Sequence, residues 1–107
     1  MMPTQYNSNH IAESEITKKF IGLHLITFEG SQQTILERFK KIQPKLRENN
    51  KYRDPKLLIP LIIYVYFHLF GHKIDKSDLL SVSEISSADF NDFIIQLKRY
   101  PIRETKY

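Results

Sequence analysis

The sequence predicts an all-α protein, a five-helix bundle around one buried central helix at about residues 55–71. Three observations predict it: apolar residues recur at helical steps, capping and breaking residues separate these segments, and one segment is apolar nearly all round. A chain of 107 residues has room for one domain. We expect a flexible N-terminal tail at 1–10, the helical domain at 11–100 and a C-terminal tail at 101–107.

Two amphipathic helices are predicted in the first half of the chain. Apolar residues recur at helical spacing at Ile16, Phe20, Leu23 and Ile26, which indicates a first helix ending near Gly30. Its polar side is expected to carry Glu13, Glu15, Lys18 and Lys19. Ser31 is the predicted N-cap of the second helix, whose apolar stripe comprises Ile35, Leu36, Phe39, Ile42 and Leu46. Pro44 should kink or shorten this helix.

The third, central helix is predicted to open with Asp54 as its cap and Pro55 at its first position. Residues 57–70 are apolar nearly all round, which is typical of a helix surrounded by others. Pro60 marks either a kink or the true start. A buried strand over 62–65 is the competing interpretation, which the length of the apolar segment and the following Gly71 disfavour.

Two shorter helices are predicted after Gly71. Asp75 or Ser77 caps a fourth helix, which the Ser86-Ser87 pair ends, and Ser87 caps a fifth. The inner face of the fifth helix comprises Phe90, Phe93, Ile94 and Leu97. It is expected to stop at Pro101, with Lys98 and Arg99 at the negative end of the helix dipole.

Composition narrows the functional class. The absence of cysteine excludes disulfide frameworks, thiolate zinc sites and thiol nucleophiles, and it fits an intracellular, reducing compartment. Residues Met1–Ser14 lack the basic start and apolar run of a secretory signal. The longest apolar run, Leu57–Phe70, is shorter than the roughly 20 residues that span a bilayer, so no membrane partner is expected.

Catalytic and metal-binding patterns are missing from the sequence. There is no nucleophile elbow, no glycine-rich phosphate loop and no carboxylate pair in an apolar setting. His68 and His72 have the four-residue spacing of two helical zinc ligands, but Gly71 precedes His72 and no third ligand is close in sequence. We therefore expect a protein that is not an enzyme and uses no metal and no cofactor.

The formal net charge of +4 and the pI of about 9.3 reflect a basic stretch at residues 38–56. Its candidate nucleic-acid-binding residues are Lys40, Lys41, Lys45, Lys51, Arg53 and Lys56. A solvated face is the open alternative, because Glu37, Glu48 and Asp54 dilute the charge. In the last helix Asp89 and Asp92 would be repelled by phosphates, so this acidic end is expected to face a protein or solvent.

A family resemblance rests on short stretches spread along the chain. They are Arg53-Asp-Pro, Ile62-Ile-Tyr64, Leu69-Phe-Gly71, Asp75-Lys-Ser-Asp-Leu-Leu80 and Ile85-Ser-Ser-Ala-Asp-Phe90. Over residues 11–100 the chain resembles one repeat of the cyclin fold, in the version of transcription factor IIB and the sixth subunit of the origin recognition complex. Unlike those families, it carries large side chains where their central helix favours alanine. A single repeat implies a partner or a homodimer that rebuilds the two-lobed surface.

The resemblance implies a non-enzymatic assembly factor that binds a protein partner within a nuclear, DNA-associated complex for transcription or replication. The partner groove would involve Tyr64, Tyr66 and Phe67, and the basic stretch would contact the DNA backbone. The alternative is a protein-only adaptor or regulatory subunit that binds a partner helix and no nucleic acid.

Overall fold

Five α-helices and two 3-10 turns make up the chain in a computed structural model that describes residues 4–28 and 30–97. The helices are α1 Thr4–Gly22, α2 Ser31–Ile42, α3 Pro55–Leu69, α4 Lys76–Ser81 and α5 Ser87–Leu97, with 3-10 turns at Gln43–Lys45 and Lys51–Arg53. No strand occurs within the two described ranges. The predicted all-α class and the order of five helices are therefore confirmed.

The first helix begins earlier than predicted. Helix α1 starts at Thr4, inside the range 1–10 that was expected to form a tail. Residues 4–21 contain neither proline nor glycine, so nothing in them stops a helix that the apolar residues further along hold against the core. Residues 98–107, with the predicted stop at Pro101 and the C-terminal tail, lie outside the described residues.

Helix α1 also ends earlier than predicted, at Gly22 instead of near Gly30. The reason is His24, which adopts the left-handed conformation with φ of 59°. The Leu25 N–H donates to the Phe20 carbonyl at 2.8 Å, and a second bond from the His24 N–H, at 3.2 Å, completes a Schellman motif. Leu25 and Phe20 are both fully buried, which provides the apolar contact that accompanies this motif.

An ion pair is buried on the inner side of α1. Lys19 Nζ donates to Glu15 Oε1 at 2.8 Å, and each side chain is only 8% exposed. The prediction that both residues lie on the polar side of the helix was wrong, because they share the buried stripe with Ile16 and Phe20. Mutual neutralisation allows two charges to occupy this position.

Helix α2 begins one residue earlier than predicted, so the prediction of Ser31 as its N-cap was wrong by one residue. Gly30, with φ of 83°, is the N-cap and Ser31 is the first helical residue. The Gly30 carbonyl accepts from the Thr34 N–H at 3.2 Å and from the Thr34 hydroxyl at 3.2 Å. At the other end Pro44 shortens the helix as predicted, since α2 gives way to the 3-10 turn that contains it.

Helix α3 is the centre of the bundle and packs against α1, α2 and α5. Asp54 caps it as predicted, with Asp54 Oδ1 accepting from the Lys56 N–H at 3.0 Å. Pro60 lies inside the helix and is buried, so it is not the start of the helix. The competing strand over 62–65 is excluded, and the helix ends at Leu69, slightly short of the predicted 71.

The last two helices have caps of their own. Asp75 caps α4, because its Oδ1 accepts from the Ser77 N–H at 3.0 Å. At the start of α5 the Ser86 hydroxyl accepts from the Asp89 N–H at 3.0 Å. The cap of α5 is therefore Ser86, and the prediction of Ser87 was wrong by one residue.

Candidate functional site

The two ends of α3 carry different surfaces. With 15 residues and a rise of about 1.5 Å per residue, α3 is about 22 Å long. Its N-terminus lies beside the end of α2 and the two 3-10 turns, and residues 38–56 there form what we call the basic end. Its C-terminus lies beside the end of α1. The exposed or half-exposed apolar residues of that region, Ile21, Ile26, Tyr66, Leu69 and Phe70, form the apolar end.

Hydrogen bonds between the two 3-10 turns build the basic end. The Gln43 side-chain amide donates to the Arg53 carbonyl at 2.6 Å. In return Arg53 Nη1 donates to the Leu46 carbonyl at 2.7 Å. Asn50 Oδ1 accepts from the Tyr52 N–H at 2.8 Å and shapes the second turn. The basic side chains of these turns are thereby held on the same end of the bundle.

Five of the six predicted nucleic-acid-binding residues, all except Arg53, are exposed, and so is Arg47. Of these exposed cations, five form no ion pair with another described residue: Lys40, Lys41, Lys45, Arg47 and Lys56. The other two predicted residues are engaged internally. Arg53 is half-buried and bonded to a carbonyl, and Lys51 Nζ lies 2.8 Å from Asp89 Oδ1.

A contact between α5 and the second 3-10 turn surrounds Lys51. The Tyr52 and Phe93 rings stack at 4.1 Å between centroids, and the Tyr52 hydroxyl lies 3.4 Å from the Asp89 carbonyl. Burial, reinforced by the charges of Asp89 and Asp92, raises the pKa of Tyr52 to about 12. The hydrogen bond from Lys51 lowers the pKa of Asp89. The acidic start of α5 therefore meets a lysine of its own chain, an arrangement that sequence reasoning missed.

Large apolar side chains of the apolar end are exposed. The exposed fractions are 57% for Ile21, 58% for Ile26, 43% for Leu69 and 64% for Phe70. The Phe70 ring packs on Tyr66 at 4.8 Å between centroids, which holds it against the helix end. Clusters of exposed apolar residues of this kind mark interaction surfaces in proteins.

The predicted partner contacts Tyr64, Tyr66 and Phe67 divide into three different environments. Phe67 is 2% exposed and packs against Phe20 at 5.8 Å and Phe28 at 5.0 Å, so it belongs to the core and cannot touch a partner. The expectation for Phe67 is corrected accordingly. Tyr64 is half-buried, since Phe90 of α5 packs edge-on to it at 4.8 Å. Tyr66 is half-buried, and its ring packs against the exposed Phe70 ring.

Comparisons with known proteins place the chain in no family. No protein-family model, curated protein or solved structure matches it. The cyclin-like arrangement therefore stays a proposal, and the two ends of the bundle carry the functional inference.

His68, near the end of α3, and His72, in the loop after it, do not converge on a shared site. His68 stacks on Tyr64 at 5.6 Å, whereas His72 packs against Phe28 at 4.9 Å. Within residues 4–28 and 30–97 no group of three or more side chains is placed to hold a metal ion. In the same part of the chain no helix is both long and apolar enough to cross a membrane.

A cavity of about 240 Å³ opens between the end of α1, the α3–α4 loop and α4. Its lining includes His24, His72, Lys73, Asp75, Asp78 and Ser81. Cationic and acidic side chains are mixed, so the cavity favours no single class of charged ligand.

Proposed function

We propose that this protein is a non-enzymatic assembly domain with a cyclin-like arrangement of helices. It binds a protein partner through its apolar end, within a DNA-associated complex of transcription or replication, and contacts the phosphate backbone through its basic end. The observation that carries the proposal is the exposure of four large apolar residues in the region where α1 and α3 end: Ile21, Ile26, Leu69 and Phe70.

The arrangement around α3 supports the cyclin-like part of the proposal. Nine of the 15 residues of α3 are buried, on nearly all its sides. In the cyclin fold that this chain resembles, one apolar helix is likewise enclosed by the others. The exposed apolar end is then the surface at which a protein partner, or a second copy, completes the assembly.

A partner helix with an apolar face is the occupant that fits the apolar end. Such a face covers aliphatic and aromatic side chains while burying few polar groups. Helical peptides selected for binding to the wild-type domain should lose binding to a Leu69→Ser/Phe70→Ser double variant. Ile95→Ser is the matched control, since Ile95 is 61% exposed but lies on α5. Equal binding by the wild type and the double variant would refute the apolar end as the partner site.

The basic end is tested by its response to salt. Neutralising about five phosphates with Lys40, Lys41, Lys45, Arg47 and Lys56 predicts a slope of log affinity against log salt of roughly −4.5. The triple variant Lys40→Glu/Lys41→Glu/Lys45→Glu should lose binding to a random-sequence duplex while keeping its helical circular dichroism. Unchanged binding by this folded variant would remove the DNA contact from the proposal.

A protein-only adaptor is the second candidate. It is favoured by the internal engagement of Lys51 and Arg53, which withdraws two cations from the basic end. This candidate predicts peptide binding at the apolar end that changes little with salt, and no duplex binding at low salt.

A further inference from the structure

The acidic start of α5 reaches the basic end of the same molecule. Asp89 Oδ1 accepts a hydrogen bond from Lys51 Nζ at 2.8 Å. The Lys51 side chain is 57% exposed and that of Asp89 is 31% exposed, so both atoms lie where a phosphate oxygen could also approach. A carboxylate oxygen at this distance occupies the position in which a lysine binds a phosphate.

Asp89 is held in this position by its surroundings. Its N–H donates to the capping hydroxyl of Ser86 at 3.0 Å, and the stacked rings of Tyr52 and Phe93 join the same turn to α5. The Lys51 side chain, by contrast, has a long flexible stem that could turn to another acceptor. The acid is thus the fixed partner of the pair and the lysine the movable one.

We propose that Asp89 is an intramolecular competitor for phosphate at Lys51, so that the first turn of α5 weakens nucleic-acid binding at the basic end. This inference rests on the proposed function, because it concerns the regulation of the same surface. When the ion pair is formed, the Asp89 carboxylate keeps the Lys51 ammonium from phosphate and neutralises its positive charge.

The test compares the affinities of wild type, Asp89→Asn and Asp78→Asn for one random-sequence duplex across a salt series. Asp89→Asn frees Lys51, so it should bind about threefold more tightly at low salt, with a slope steeper by about 0.9, the contribution of one phosphate contact. Asp78→Asn removes the same charge from α4, where Asp78 lines the cavity beside the end of α1. Its slope should equal that of the wild type.

Adding Lys51→Gln to Asp89→Asn should abolish the gain, because no freed lysine remains. An equal gain from Asp78→Asn, or a gain that survives Lys51→Gln, would show a general charge effect and overturn the competitor role. If Asp89→Asn binds like the wild type while the triple glutamate variant loses binding, this inference fails and the proposed DNA contact stands. If none of these proteins binds the duplex, the DNA contact fails and the inference fails with it.

Discussion

The basic end and the apolar end are built in opposite ways. At the basic end, hydrogen bonds between two short turns hold the backbone, and exposed lysines project from it. At the apolar end, the rings of Phe20 and Phe28 pack around the buried Phe67, whereas Leu69 and Phe70 are exposed. At each end one less exposed residue, the half-buried Arg53 or the buried Phe67, shapes a surface that its exposed neighbours present. Substitutions should therefore separate stability from binding at both ends.

The largest difference in stability between two variants is expected within the apolar end. Phe67→Ala should lower the free energy of unfolding by about 3–5 kcal/mol, because it leaves a cavity among Phe20, Phe28 and Tyr66. Phe70→Ser should change it by less than about 0.5 kcal/mol, since this ring is largely exposed. Urea denaturation followed by circular dichroism measures both values. A large loss of stability in Phe70→Ser would mean that this ring is part of the core.

At the basic end, substituting Arg53 should lower the stability more than substituting its exposed neighbours. Arg53→Met removes the charged donor from the Leu46 carbonyl and should cost about 1.5–3 kcal/mol in the free energy of unfolding. Lys45→Met, on the adjoining turn, should cost less than about 0.5 kcal/mol. Similar small values for both variants in denaturant titrations would contradict the structural role of Arg53.

The ends of α1 and α3 form a matched pair at the apolar end. Both close with the Schellman pattern, and the left-handed position is His24 in one and Gly71 in the other, with φ of 59° and 85°. His24→Gly should stabilise the protein by about 0.5–1 kcal/mol, because a left-handed side chain is strained. Gly71→Ala should destabilise it by about 1 kcal/mol for the same reason.

No atom lies within 4 Å of a Cβ built at Gly71, so the effect of Gly71→Ala is conformational and not a clash. Thermal unfolding of the two variants measures both effects. If the melting temperatures of His24→Gly and Gly71→Ala shifted in the same direction, the two left-handed positions would not be equivalent.

The smallest effect at neutral pH is expected from Tyr52→Phe, which keeps the stack on Phe93. Burial raises the pKa of Tyr52 from its usual 10.0 to about 12, so between these pH values the folded state retains the phenolic proton that the unfolded state releases. Stability is unaffected below pH 10 and falls as the pH rises from 10 towards 12. The phenylalanine variant lacks this loss. If the curves of unfolding free energy against pH ran parallel for the two proteins over that range, they would contradict this expectation.

Local signals in the sequence predicted much of the fold. Asp54, Pro55 and Pro44 act through their own backbone conformation and hydrogen bonding, and the structure confirms all three predictions. The turn at His24 was missed because a histidine carries no sequence signal for a left-handed conformation. The buried pair of Glu15 and Lys19 was missed because two charges four residues apart occur equally on exposed helix faces.

The sites were harder to predict than the helices. The cationic stretch was visible, but the internal roles of Lys51 and Arg53 depend on Asp89 and Leu46, contacts that only the folded chain brings together. Tyr64, Tyr66 and Phe67 are consecutive or nearly so, yet burial differs among them because α3 is surrounded. The exposed residues Leu69 and Phe70 follow one turn later, where the helix passes the edge of the bundle.

Backbone amide shifts of the ¹⁵N-labelled domain, titrated with a random-sequence duplex at low salt, test the separation of the two ends most directly. The proposed division of roles predicts shifts within residues 38–56 that disappear as salt is added, and unchanged amides over residues 66–72. Shifts centred on residues 66–72, or no shifts at all, would contradict it.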